Sequence, residues 1–230
     1  MKSKGFKLNP YDPCMANKQV KGEQLTVCFH VDDWKISHLI PKVVDKTIEC
    51  LWSEYYEHVF EDGTGAMKDH RGKTHKYLGM SLDFGHDNQC RITIIDYVDE
   101  IVAAFDKTLG ELDDSFSAVK KKSNPARTST APNDLFVVDE DAEKLSKESS
   151  IAFHHLVAMT LYVSKRARPD VSTAIAFLTT RVRAPDVDDW RKLSHLMEYY
   201  FRVNRLHPLI LSANGSGVLM RYVNASFAVS

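Results

Sequence analysis

Gln24-Leu-Thr-Val-Cys-Phe-His-Val-Asp-Asp-Trp-Lys-Ile-Ser37 is the stretch that decides the fold. Its first seven residues favour extended backbone, because β-branched and aromatic side chains pack well on a pleated surface. The run stops at Asp32-Asp33 and resumes with Trp34-Lys-Ile-Ser37, which predicts two short strands around an acidic turn. A hairpin of this kind is antiparallel, so helices flanking it make the chain α+β.

Those helices follow directly. Pro41 suits a first helical turn, and Val44, Ile48, Leu51, Trp52 and Tyr55 recur every three to four residues, giving a helix that ends before Glu61-Asp-Gly-Thr-Gly65. Residues 76–84 and 91–97 flank Gly85-His-Asp-Asn88 and read as a second hairpin. A helix over about 98–107 closes this half. Three further helices are expected over 149–166, 169–182 and 186–204, with Pro169 and Pro185 marking the restarts, and then a terminal strand over 218–225. Residues 123–134, rich in Ser, Thr, Pro and Asn, are a linker or an ordered surface loop.

Composition narrows the class. With 230 residues, a formal charge of −1, 43% hydrophobic and 27% charged residues, the chain is neither collagen-like, disordered nor a disulfide scaffold. Cys14, Cys28, Cys50 and Cys90 form no Cys-x-x-Cys pair, which argues against zinc ribbons and fingers. No apolar run approaches the roughly 18 residues of a membrane span, and the first residues lack the apolar stretch of a secretory signal. The expectation is an intracellular protein with reduced thiols, in a cytoplasmic particle or the nucleus, not secreted and without a membrane partner. Residues 151–207 hold nine Lys plus Arg against five Asp plus Glu, a local excess of positive charge.

Asp32-Asp33 carries the most chemistry. Adjacent carboxylates beside a buried sheet repel each other, and a divalent cation relieves that repulsion. Magnesium takes hard oxygen ligands and keeps substrate phosphates in its shell, so the pair reads as half of a site for metal-assisted phosphoryl transfer. The plainer alternative is a solvated turn, for which Asp is a favoured residue.

Phe29-His-Val-Asp-Asp33 resembles the aromatic-x-Asp-Asp hairpin of reverse transcriptases, and the chain resembles copia-type retrotransposon polymerases nearly end to end. The matching segments are Asn9-Pro-Tyr-Asp-Pro-Cys-Met-Ala-Asn17, Lys76-Tyr-Leu-Gly-Met80, Phe153-His-His-Leu-Val-Ala-Met-Thr-Leu-Tyr-Val163, Arg168-Pro-Asp-Val171, residues 185–190 and Arg221-Tyr-Val-Asn-Ala-Ser226. Their order and spacing carry the likeness more than any one of them.

The resemblance implies a partial polymerase palm with an antiparallel hairpin sheet over 1–110 and a loop or linker over 111–148. A helical thumb or connection region follows over 149–207, and the beginning of a truncated ribonuclease H-like domain over 208–230. It implies RNA-directed DNA polymerase chemistry, with Asp32 and Asp33 as catalytic, magnesium-holding carboxylates and template–primer RNA or DNA and deoxynucleotides as partners. Lys165, Arg166, Arg168, Arg181 and Arg183 are the candidate phosphate contacts, since basic side chains gain affinity by releasing counterions.

The sequence departs from the family pattern in three places. His30 stands where the family most often has Tyr, and Asn224 where the ribonuclease H strand usually has a metal-binding Asp. No strand bearing the family's third carboxylate is legible before Asp32; Asp12, the only acid there besides Glu23, lies in a turn-like Pro10–Pro13 segment and is not a metal ligand on this reading. The expectation is therefore a reverse transcriptase fragment that is inactive alone. The alternatives are a non-enzymatic nucleic-acid-binding remnant or a host-used interaction module. His154-His155 are expected in core or capping roles, since adjacent helical residues face different directions. Cys28 is expected to be buried, with Met159, Met197 and Met220 as core filler.

Overall fold

The computed structural model describes residues 1–31, 33–55, 68–111, 130–198 and 204–213. Its contacts divide the chain into two units, Met1–Gly79 and Met80–Ser230. Helices and antiparallel strands occur together, so the α+β expectation holds.

In the first unit β1 (Lys7–Leu8), β2 (Met15–Val20), β3 (Glu23–His30) and β4 (Asp33–Ser37) form an antiparallel sheet in chain order, followed by α1 (Pro41–Tyr55) and β5 (Thr74–Tyr77). The β2–β3 connection is Lys21-Gly22, with φ of 55° and 84°. Two left-handed residues match the right-handed twist of the strands they join, and Gly22 takes that conformation without steric cost. Val27 pairs with Ala16 on one side and Ile36 on the other. Side chains alternate along a strand, so Leu25, Val27 and Phe29 share one face. Phe6, Ala16, Leu25, Val27 and Val43 are the buried core beneath that face, with Trp34, Ile36 and Ile40 packed against it. Burying aliphatic side chains of this size stabilises by roughly 1.5–3 kcal/mol each.

The sheet is larger than expected. Met15–Val20 (Met-Ala-Asn-Lys-Gln-Val) has no apolar alternation, so β2 is specified by its partner β3 and not by its own pattern. The segment 76–84, expected as one strand, is interrupted at Leu78 and Gly79, whose φ values are 51° and 73°.

In the second unit β7 (Gln89–Thr93) pairs antiparallel with β6 (Met80–Asp83) and with β8 (Leu209–Ser212). Its helices are α2 (Ile95–Glu111), α3 (Lys147–Ser164), α4 (Ser172–Arg181) and α5 (Val187–Glu198), with a 3-10 turn at Pro169–Val171. Helix α3 begins earlier than the sequence pattern suggested because Ser146 caps it, accepting the Ser149 N–H at 3.2 Å. Trp190 is wholly buried on α5, its ring 6.4 Å from Phe105 of α2 and 6.3 Å from Phe153 of α3. One side chain thus ties three helices.

Leu209–Ser212, at the start of the 208–230 segment, hydrogen-bonds β7, with Ile92 opposite Leu209 and Gln89 opposite Ser212. The expected strand over 218–225 lies outside the described residues, as does Met220. Of the 111–148 region, residues 111 and 130–148 are described, and Leu135 and Leu145 are buried. His154 and His155 are both exposed, which corrects the expected core or capping role. Among the described residues no helix is long and apolar enough to cross a membrane.

Candidate functional site

The acidic hairpin is built by strand register. His30 opposes Asp33, Phe29 opposes Trp34 and Cys28 opposes Lys35. Since facing residues project to the same side, Phe29 and Trp34 go to the core face, where their rings lie 5.5 Å apart. Cys28, His30, Asp33 and Lys35 therefore share the opposite face. Asp33 and His30 are exposed there. Asp32 lies outside the described residues.

Two further features surround this face. Val31, 86% exposed, has φ of 52°. A β-branched residue is costly in the left-handed region, so the end of β3 holds backbone strain. Residues 9–14 fold against the same end of the sheet: Phe29 N–H donates to the Cys14 carbonyl at 2.9 Å, and Asp12 accepts the Cys14 N–H at 3.0 Å. The Asp12 carboxylate is thereby engaged in its own turn.

Tyr77 is a neighbour of the acidic face. Burial pushes its phenol up, and the charges of Cys28, Asp33, Cys14 and Asp12 push the same way. Cys28 is half-buried, less than expected. Its thiol is also pushed up by burial, opposed by Lys35 and assisted by Asp12, which keeps it protonated at neutral pH. Proximity of these groups in space arises from β5, and the residue spacing alone carries no signal for it.

Toward magnesium the described part of this face contributes one exposed carboxylate, Asp33, a hard oxygen donor of the right kind. No group of three or more His, Cys, Asp or Glu side chains among the described residues converges as a metal site. The described donors amount to part of a ligand set, so no reaction step is assigned to a metal.

The five candidate phosphate contacts divide sharply. Arg168 is 2% exposed and donates from Nε and Nη2 to Asp170 at 2.9 and 2.7 Å, and from Nη1 to the Asn204 carbonyl at 2.7 Å. Arg181 donates to Asp189 at 2.9 Å and to Asp186 at 3.1 Å. These two guanidiniums are committed to protein carboxylates. Arg166 lies half-buried, its Cζ 3.6 Å from the centre of the Tyr162 ring, and Tyr162 packs 5.0 Å from Tyr97. Lys165 and Arg183 are exposed.

Asp186 and Asp189 form a reciprocal cap at the start of α5. The Asp189 N–H donates to Asp186 at 2.9 Å, and the Asp186 N–H donates to Asp189 at 3.2 Å. Lys144 adds a second cation at 3.1 Å from Asp186. Burial pushes the Asp186 carboxyl up, but the Asp189 N–H, Lys144 and Arg181 outweigh it and hold it below the usual carboxylate range. Asp189 goes the other way, raised by burial and by the charge of Asp186 against the pull of Arg181.

No family model matches the chain, and no curated protein or solved structure matches it.

Proposed function

We propose that the chain is part of a copia-type reverse transcriptase, an RNA-directed DNA polymerase. In this reading the β3–β4 hairpin belongs to the palm, and Asp32 and Asp33 hold magnesium for template-directed addition of deoxynucleotides. The observation that supports it best is the pairing of His30 with Asp33, which leaves two positions, 31 and 32, between the strands of the aromatic-x-Asp-Asp sequence. The helices of the second unit form the thumb or connection part beside the template–primer. Lys165 and Arg183 are its phosphate contacts, with Arg166 stacked nearby in sequence on Tyr162. Residues 1–230 do not by themselves carry a legible third palm carboxylate, and a non-enzymatic nucleic-acid-binding role is the second reading.

Primer extension on an RNA template with magnesium separates the two. Extension by the chain that is lost when Asp32→Asn and Asp33→Asn are combined supports the polymerase. Extension that survives both changes overturns it. With no extension by either protein, binding to an RNA–DNA hybrid is the deciding measurement. Neutralising Lys165 and Arg183 together should weaken binding and lower the slope of log affinity against log salt by roughly 2, one unit per lost phosphate contact. Binding indifferent to both changes and to salt overturns the nucleic-acid reading as well.

A further inference from the structure

A second chemically active cluster lies in the first unit, formed by three side chains from two segments. Lys4 Nζ is 3.0 Å from the sulfur of Cys50 and 2.9 Å from Glu54 Oε2. Cys50 and Glu54 are four residues apart on α1, so they lie on one face of the helix. Lys4 is held in place from behind: its carbonyl accepts the Lys18 ammonium at 2.8 Å, and the following Gly5 turns the chain with φ of 79°. Cys50 is exposed, whereas Cys14, Cys28 and Cys90 are half-buried, and none of the four is in a disulfide.

The geometry points to a peroxide-responsive cross-linking site, in which an oxidised Cys50 is captured by the amine of Lys4. Nitrogen and sulfur are already at the separation from which bonds form in oriented pairs. Glu54 is within proton-transfer distance of the same nitrogen, the arrangement of a nucleophile beside its base. Hydrogen bonds to Cys50 and Glu54 favour the Lys4 ammonium and push its pKa up. Loss of the thiol on oxidation removes the first of these. An amine beside a carboxylate and an oxidised sulfur is then poised to react.

The chemistry proceeds in two steps. The Cys50 sulfur attacks a hydroperoxide; the S–O bond forms as the O–O bond breaks, sulfur is oxidised to the sulfenic acid and the peroxide is reduced to water or an alcohol. Lys4 passes a proton to Glu54, and its nitrogen lone pair attacks the sulfur. The S–N bond forms as the S–O bond breaks, the hydroxyl leaves as water with that proton from Glu54, and the nitrogen gives up its second proton to Glu54 and from there to solvent. With hydrogen peroxide the sum is thiol plus amine plus peroxide giving the sulfenamide and two waters, and a thiol reductant reverses it. Residues 4 and 50 are then joined covalently, which clamps the 3-10 turn Lys2–Lys4 to α1.

Peptide mapping by mass spectrometry tests this on the full chain treated with hydrogen peroxide. The expected product is one joined peptide pair containing Lys4 and Cys50, lighter than the two separate peptides by two hydrogens and released by dithiothreitol. Lys4→Arg keeps the positive charge and should yield no joined pair, while Glu54→Gln should slow its formation several-fold with folding unchanged by circular dichroism. Oxidation of wild-type Cys50 only to the sulfinic acid or a disulfide overturns the proposal. So does a joined pair that forms at the same rate in Glu54→Gln.

Discussion

The two units use aspartate in opposite ways. On the acidic face of the first, Asp33 stands exposed at the start of β4, on the side of the sheet away from the core. At the start of α5 in the second, Asp186 and Asp189 are buried, reciprocally capped and matched to Arg181 and Lys144. A carboxylate left in water costs the fold little and stays available to a ligand. One taken out of water must be satisfied by the protein, and its partners lose their availability with it. The same contrast divides the cations: Arg168 and Arg181 are spent inside the second unit, while Lys165 and Arg183 stay exposed.

Substitutions probe this contrast directly. Trp190→Ala should have the largest effect, about 3–5 kcal/mol of lost stability in urea unfolding, because it empties the space shared by Phe105 and Phe153. A loss near zero would mean that the three helices do not depend on this contact. Arg168→Ala should follow at about 3 kcal/mol, since it strands the Asp170 carboxylate and the Asn204 carbonyl. Arg183→Ala, on an exposed side chain of the same region, should change stability by less than about 0.5 kcal/mol. Similar losses from both would erase the distinction between committed and available cations.

Acid should also act unequally. Burial pushes the Asp188 carboxyl up, but hydrogen bonds from Lys192 and Arg191 outweigh it and hold the group below its ordinary value. A depressed native value contributes stability that is complete above the unfolded value, about 3.9, and is lost as pH falls through the native one. Acid titration of unfolding should therefore show a smaller loss in Asp188→Asn than in the wild type; equal slopes would remove Asp188 from the account.

At the acidic hairpin the expected change has the opposite sign. Val31→Gly relieves a left-handed conformation that costs a side-chain-bearing residue about 1–2 kcal/mol, offset by the roughly 0.5–1 kcal/mol that glycine loses in freedom on folding. A net gain of up to about 1 kcal/mol is expected in urea. A clear loss would show that Val31 makes a contact that outweighs its strain.

Local pattern made much of this legible. The β3–β4 hairpin, α1 and the helices of the second unit follow from β-branched runs, three-to-four-residue apolar spacing and the proline restarts. Strand β2 did not, because its polar residues become a strand only when Glu23–His30 offers partners. The break at Leu78-Gly79 was hidden inside an apolar run, and β8 pairs with β7 across more than a hundred residues, a distance at which local pattern carries no information.

The sequence by itself determined the α+β class, the acidic hairpin with Asp33 at its edge, and the basic excess of residues 151–207, since composition and periodicity are local properties. Tertiary structure decided which charges remain available. Burial and geometry, not residue type, turned Arg168 and Arg181 inward, left Lys165 and Arg183 in water, set Tyr77 near the acidic face and brought Lys4 to Cys50. A charge must be paired where water is excluded and need not be where water remains, and only the folded chain says which is which.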